Sequence, residues 1–148
     1  MARERGFTLI ELMVVFAILA LVMSIAPSAY DKMKTSMEYR DAVRGVVSEM
    51  RAARQMATLT GRDSVFAVDL EHRQYGIEGA KQRAIPESID MRAIVADSEA
   101  KGAHFAIRFL SSGGASGGSV DVLRSSGDGV RLRVDWFSGR VEQEPVQK

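Results

Sequence analysis

The chain contains no cysteine, and it has only two histidines and three prolines among its 148 residues. Without cysteine there is no disulfide, no thiolate metal site and no cysteine nucleophile. His72 and His104 lie far apart and have no neighbours at metal-ligand spacing, which argues against metal sites and histidine-based catalysis. Twenty Lys and Arg residues against nineteen Asp and Glu give a net charge of +1. The composition therefore does not predict a strongly positive electrostatic field that would attract a polyanion.

The apolar residues are concentrated near the N-terminus, although the overall composition is that of one ordinary domain. Seventeen of the twenty residues from 7 to 26 are apolar, enough for a helix of about 30 Å, the thickness of a bilayer core. A buried core helix and a cleaved signal peptide with a site near Ala26 are alternatives. Apolar residues around every face disfavour the first, and Pro27 disfavours the second. We expect a membrane helix with its N-terminus in the cytoplasm, because Arg3 and Arg5 precede it.

Glu11 is the one charged residue within this apolar run. A carboxylate in a membrane segment is costly and usually has a partner, but the run contains no Lys, Arg or His. Two alternatives follow: the side chain reaches the cytoplasmic interface, or its partner comes from another chain.

The residues around Glu11 form a specific pattern: a short basic leader that ends in Gly6, then Phe7, then Glu11 four residues later, within an apolar run. This pattern resembles the class III signal of type IV pilins and type II secretion pseudopilins. The resemblance implies that a prepilin peptidase cleaves between Gly6 and Phe7 and methylates the amine of Phe7. It also implies a partner for Glu11, the N-terminal amine of a neighbouring subunit, so that two charges neutralise each other and set the assembly register.

Beyond Pro27 the pattern becomes amphipathic, and we expect the helix to continue over residues 28–60 and to end before Gly61. One apolar stripe has helical spacing: Tyr39, Val43, Val46, Met50, Ala53 and Ala57. We expect this stripe to pack on the C-terminal domain, because it is short and rich in alanine for a free coiled coil. Gly45 is expected to weaken the helix by about 1 kcal/mol relative to alanine.

From residue 61 onward the apolar period changes to two, which predicts short strands with one buried face each. Strands are expected at 66–70, 74–77, 89–95, 105–109, 119–123, 130–136 and 140–143, with a tight hairpin turn at Ser138 and Gly139. The predicted fold class is therefore α+β: a long N-terminal helix, transmembrane in its first half, packed on a small antiparallel β-sandwich over residues 61–148.

The segment 111–118 is rich in glycine and serine, but no Lys-Ser or Lys-Thr follows it, so we interpret it as a flexible connection rather than a phosphate cradle. Together with the flanking strands it resembles the C-terminal domain shared by H-type pseudopilins and FimT-type minor pilins. The aspartate-rich calcium loop of the major pseudopilin is not found: Asp121, Asp128 and Asp135 are scattered among strands. We expect no metal and no other cofactor.

The resemblance implies a structural, non-enzymatic subunit, a minor pseudopilin near the tip of the periplasmic pseudopilus of type II secretion. Residues 1–6 would be the leader, and 7–27 a single-pass helix in the bacterial inner membrane and filament core, with the C-terminal domain periplasmic. Implied partners are the I-, J- and K-type minor pseudopilins, the major pseudopilin, the prepilin peptidase, and the inner-membrane assembly platform with its ATPase.

The alternative is a FimT-like minor pilin that acts in pilus assembly or DNA uptake. Arg124, Arg131, Arg133 and Arg140, together with Trp136, would then form a basic strip that contacts nucleic acid. Residues 61–148 hold 12 basic and 13 acidic residues, a net charge of −1, and acidic residues alternate with these arginines. A salt-bridged, solvated sheet face is therefore favoured over DNA binding.

Overall fold

The computed structural model describes residues 8–95 and 100–146, apart from the side chains of residues 24–29, 31–32 and 100–101. The predicted leader, with Gly6, and the predicted methylation site Phe7 lie outside the described residues. Within these described residues, one helix, α1, is followed by nine strands. Their bounds are α1 Leu9–Thr60, β1 Ser64–Asp69, β2 Gln74–Ile77, β3 Arg83–Ala84, β4 Ile89–Ile94, β5 Ala100–Lys101, β6 His104–Phe109, β7 Gly118–Arg124, β8 Gly129–Val134 and β9 Val141–Val146.

The strands form two sheets in which every pairing is antiparallel. The first sheet has five strands in the order β3-β2-β1-β6-β5, and the second has four in the order β4-β7-β8-β9. β1 and β6 pair with Phe66 opposite Ile107, while β7 and β8 pair with Val120 opposite Leu132. These side chains point to the same side of their sheets as the other core residues and line the shared core.

The chain divides into two compact units, residues 1–36 and 37–148. In the first unit, every side chain from Leu9 to Met23 is exposed. Among the described residues, no helical stretch combines the length and the apolar character that a membrane crossing requires.

The second unit is built around one hydrophobic core, to which α1 contributes its predicted stripe. Tyr39, Val46, Met50, Ala53 and Ala57 are buried in this core, and Val43 packs against it. Both sheets contribute as well: β1 supplies Phe66 and Val68, and β7 supplies Val120 and Val122. The predictions of a packed helix stripe and of an α+β fold are confirmed.

Strand β8 differs from its prediction, because it ends at Val134 and not at residue 136. The hairpin between β8 and β9 is a loop of residues 135–140 rather than a two-residue turn. The carboxylate Oδ1 of Asp135 accepts hydrogen bonds from the backbone N–H and the hydroxyl of Ser138, both at 2.7 Å. This side-chain turn stops the strand. Trp136, which continues the alternating pattern of the predicted strand, is 68% exposed.

Two further strands, β3 and β5, were not predicted, because each is only two residues long and carries no alternating pattern. The predicted flexible connection at 111–118 is a packed segment. Ala115 is buried and forms a bridge with Phe109, and the N–H of Ser116 donates to the carbonyl of Arg108 at 2.8 Å.

Candidate assembly site

The first turn of α1 is capped by Thr8. Its hydroxyl oxygen accepts a hydrogen bond from the backbone N–H of Glu11 at 3.3 Å, and its carbonyl accepts from the N–H of Leu12 at 3.2 Å. A threonine followed three residues later by a glutamate is the sequence signature of a capping box. Glu11 therefore occupies the third helical position, where a carboxylate is favourably placed toward the positive end of the helix dipole. Thr8 was not singled out from the sequence, although this signature would have identified it.

Glu11 lies on a helix surface that is otherwise almost entirely apolar. The described neighbours Leu9, Ile10 and Leu12 are all exposed, as is Glu11 itself. In the part of the chain that the structure describes, no cationic group forms an ion pair with Glu11. The same helix end thus carries an unburied apolar surface and one carboxylate, both of which gain from contact with another molecule.

The four arginines proposed for nucleic-acid contact lie in or next to the four-stranded sheet, but they do not share one environment. Arg131 on β8 forms a two-pronged ion pair with Asp121 on β7, with distances of 2.7 Å from Nε to Oδ1 and 2.9 Å from Nη2 to Oδ2. Asp121 is buried. The hydrogen bonds and charge of Asp121 raise the pKa of Arg131 above its ordinary value. The guanidinium of Arg131 is therefore already bound to a carboxylate of its own chain.

Arg133 is also paired, but with two different exposed carboxylates: its Nη2 lies 2.7 Å from Glu142 and its Nε 3.0 Å from Glu144. These two carboxylates, with the charge of Glu144 as the larger cause, raise the pKa of Arg133. Arg124 reaches Asp128 at 2.8 Å.

The guanidinium of Arg124 also lies 3.9 Å from the centre of the Tyr39 ring, a cation–π contact. Arg140 differs from the other three arginines: it is exposed, and no described carboxylate pairs with it.

The outer face of this sheet carries a row of alternating charge across all four strands. Arg92 on β4 is opposite Asp121 on β7, Asp121 is opposite Arg131 on β8, and Arg131 is opposite Glu144 on β9. We call these four residues the charge row. Opposite charges at directly facing positions stabilise strand pairing. The row also balances its own charge, which makes it a poor surface for a polyanion.

The loop between β8 and β9 presents two adjacent aromatic side chains, Trp136 and Phe137, which we call the aromatic tip. Their rings meet edge to face with centres 5.8 Å apart. Below them the backbone is fixed, because the carbonyl of Trp136 accepts from the N–H of Ala115 at 2.9 Å. A Cβ at Gly114 would lie 2.9 Å from that carbonyl oxygen, so only glycine allows this close approach. The glycine-rich segment thus supports the aromatic tip.

Comparison with known proteins identifies the N-terminal motif and the fold. Residues 1–27 match the prokaryotic N-terminal methylation motif. The chain is 27% identical over 146 residues to the type II secretion system protein H of Xanthomonas campestris pv. campestris, covering 97% of this chain and 85% of that protein. It is 31% identical over 132 residues to a fimbrial protein of Pseudomonas aeruginosa, covering 88% of this chain and 84% of that protein.

Solved structures share the fold at low sequence identity. The minor pseudopilin EpsH of the Vibrio cholerae type 2 secretion system superposes with a TM-score of 0.58 at 13% identity, over 73% of this chain and 97% of that one. The type IV minor pilin FimU of Pseudomonas aeruginosa gives a TM-score of 0.57 at 14% identity, over 74% of this chain and 90% of that one. The resemblance predicted from the N-terminal motif and the C-terminal strands is confirmed, and the chain belongs to the type IV pilin-like family that includes the H-type secretion pseudopilins and the fimbrial proteins.

Proposed function

We propose that this protein is a minor pseudopilin of the type II secretion system, a structural subunit at or near the tip of the periplasmic pseudopilus that supports protein export across the outer membrane. The observation that carries the proposal is the combination of an N-terminal methylation motif with similarity to protein H over 97% of the chain. In this role the protein performs no catalysis; it acts by its contacts with other subunits.

The exposed helix surface supports a role in assembly. The described side chains from Leu9 to Met23 form a continuous exposed, mainly apolar surface, which lipid covers before assembly and neighbouring helices cover in a filament. The apolar run over residues 7–26 and the preceding Arg3 and Arg5 favour a single inner-membrane helix with its N-terminus in the cytoplasm and its C-terminal domain in the periplasm.

Maturation at the N-terminus is part of the proposal. The prepilin peptidase cleaves after Gly6 and methylates Phe7, and the new amine is the ionic partner of Glu11 in an adjacent subunit. Assembly then proceeds on the inner-membrane platform with the major pseudopilin and the I-, J- and K-type minor pseudopilins. Two charges that are costly to place separately in an apolar medium are placed there together.

Deletion of the gene in its own organism tests the proposal. We expect exported proteins to accumulate in the periplasm and to be released again when the full-length chain is supplied. Intact-mass measurement of the membrane-extracted protein checks maturation, and we expect a chain that begins at Phe7 and carries one added methyl group. Normal export in the deletion strain, or a protein that retains residues 1–6, would contradict it.

A FimT-like minor pilin is the second candidate, and the 31% identity to a fimbrial protein favours it. The same deletion strain distinguishes the two, because loss of surface pili or of DNA uptake with normal export identifies a pilin. For DNA uptake, the candidate contacts are Arg124, Arg131, Arg133 and Arg140.

The ion pairs of Arg124, Arg131 and Arg133 support the secretion role over DNA binding. We therefore expect the detergent-solubilised full-length protein to produce no salt-sensitive shift of duplex DNA in a gel. Micromolar binding that weakens as salt is raised, and that Arg140→Gln reduces, would favour DNA uptake instead.

A further inference from the structure

We propose that the aromatic tip, Trp136 and Phe137, with Arg140 beside it, is a docking site for a neighbouring pilin-like subunit that presents an apolar pocket rimmed by carboxylates. The proposal deepens the proposed function and rests on it, because it names the surface by which this subunit contacts another one. It assigns a contact outside α1, in the C-terminal domain.

The first step in the argument is the exposure of the two rings. Trp136 and Phe137 are 68% and 78% exposed, although each belongs to a residue type that contributes much apolar area when buried. They are adjacent in sequence and in edge-to-face contact, so they form one apolar protrusion. Exposed aromatic side chains that cluster in this way are typical of the energetic centres of protein interfaces.

The second step is the order of the loop that carries them. The N–H of Asp135 donates to the carbonyl of Arg140 at 2.9 Å, and the N–H of Gly139 donates to the carbonyl of Asp135 at 2.8 Å. Asp135 also accepts two hydrogen bonds from Ser138, and the N–H of Ala115 donates to the carbonyl of Trp136. A loop that is ordered before binding loses little conformational entropy when a partner covers it. None of these bonds buries the rings themselves, so the loop holds them toward solvent.

The third step is the charge beside the tip, which defines the partner. Arg140 is exposed, and in the described residues no carboxylate pairs with it. Asp135, the acidic residue of the same loop, is directed at Ser138. The tip therefore combines aromatic surface with the exposed guanidinium of Arg140, which matches an apolar pocket with carboxylates at its rim.

A nucleic acid is the less suitable occupant. Arg131 and Arg133 lie on the strand that leads into the tip, and both are neutralised by carboxylates of this chain. A single-stranded nucleic acid that stacks on aromatic rings also needs a positively charged track for its backbone. One arginine does not provide such a track.

Photo-crosslinking in the native organism tests the proposal with the full-length chain. p-Benzoylphenylalanine replaces Phe137 in one strain, the exposed Phe16 of α1 in a second, and the exposed His72 in a third. His72 is the matched control because it lies at the other end of the first sheet. It follows the last residue of β1, whereas the glycine-rich segment follows Phe109, which pairs with Ser64 at the beginning of β1. Adducts are identified by mass spectrometry of the crosslinked peptides.

We expect the Phe137 probe to crosslink to a protein that itself carries an N-terminal methylation motif, at a peptide that contains Asp or Glu, and the His72 probe to give no such adduct. Trp136→Ala is expected to reduce the adduct yield roughly tenfold or more, as for an interface hot spot, and Arg140→Glu is expected to reduce it as well. The variant Ser112→Ala, at an exposed position outside the tip, should leave it unchanged.

The Phe16 probe distinguishes failure of the proposed docking site from failure of the proposed function. Adducts of Phe16 with pilin-like proteins, but none from Phe137, would overturn the docking site and leave the proposed function standing. Absence of pilin-like adducts from both positions would overturn both. Crosslinks from Phe137 to nucleic acid or to an exported protein, with no pilin-like adduct, would likewise exclude the proposed partner.

Discussion

Gly45 of α1 and Tyr75 of β2 approach so closely that a Cβ at Gly45 would lie 2.2 Å from the Tyr75 hydroxyl oxygen. Burial of the tyrosine raises the pKa of its hydroxyl. From the sequence, Gly45 was expected only to weaken the helix relative to alanine. The structure gives this glycine a positive role, because it allows the helix to pack against the first sheet.

The variant Gly45→Ala is therefore expected to destabilise the protein, although alanine is the better helix former. Overpacking of this kind costs about 1–3 kcal/mol, against a gain of about 1 kcal/mol from helix propensity. The double variant Gly45→Ala with Tyr75→Phe should recover the loss, since the next-nearest tyrosine atom lies at 3.4 Å. Unfolding temperatures of the two single variants and the double variant form a double-mutant cycle. Additive effects would contradict the proposed steric conflict.

The ion pair between Asp121 and Arg131 is expected to stabilise the second sheet more than the pair between Arg133 and Glu142. Asp121 is buried and bound at two points, whereas both partners of the second pair are about half exposed. Exposed pairs contribute little because water screens them. We expect Asp121→Asn to lower the unfolding temperature clearly and the matched variant Glu142→Gln to change it little. Equal decreases in the two variants would argue against this ranking.

The turn below the aromatic tip is expected to respond to acid. Hydrogen bonds from the Ser138 hydroxyl and backbone N–H hold the pKa of Asp135 below its ordinary value of 3.8. Because the pKa is lowered in the folded state, the stabilising contribution is complete above about pH 3.8 and is lost as the pH falls through the folded-state pKa. Ser138→Ala removes the hydroxyl donor, raises this pKa, and should shift the loss to higher pH.

Trp136 is the single tryptophan of the chain, and we expect its fluorescence to report this transition. Spectra recorded between about pH 5 and pH 2 should show the change at higher pH in Ser138→Ala than in the unaltered protein. The variant Ser112→Ala in the neighbouring loop is the control and should follow the unaltered protein. Superimposable curves for all three proteins would mean that Ser138 does not hold the Asp135 carboxylate.

Substitution of Glu11 is expected to separate maturation from assembly. Glu11→Ala and Glu11→Leu should leave membrane insertion and cleavage after Gly6 intact, because neither depends on an ionic partner in another chain. Both should impair incorporation into a filament, since the amine of the neighbouring subunit would then lie unpaired in an apolar environment. Fractionation and intact mass measure the first two properties, and co-purification with other pilin-like subunits measures the third. Normal incorporation of either variant into the filament would contradict the proposed role of Glu11 in setting the assembly register.

Regular periodicity explains which parts of the fold were predictable. The stripe from Tyr39 to Ala57 and the alternation in β1, β6 and β8 identify buried faces, because each depends only on residues close in sequence. The N-terminal motif is equally local, which is why Glu11 could be selected before the structure was known. Strands β3 and β5 could not be predicted, since two-residue strands form only where a longer neighbour offers its edge.

The errors lie where a local alternating pattern or a local composition does not decide the structure. Trp136 continues the alternation of β8, so the sequence places it inside, but the Asp135–Ser138 turn ends the strand two residues earlier. The glycine-rich segment has the composition of a flexible loop, yet its conformation is set by the carbonyl of Trp136, more than twenty residues away in the chain. The composition favoured a sheet face on which arginines pair with carboxylates. Only the strand register shows which arginine has no carboxylate partner among the described residues.

The pairing of Arg133 with Glu142 also restricts how the last strand can pair. If β9 slipped by two residues along β8 in one direction, Arg133 would face Arg140 instead of Glu142. A slip of one residue would turn every side chain of β9 to the opposite face. Edge strands are prone to such mispairing because one of their sides is unconstrained. The charges therefore penalise a two-residue slip of the C-terminal strand in that direction, and the correct alignment of β9 decides whether the loop that carries Trp136 and Phe137 forms in its correct place.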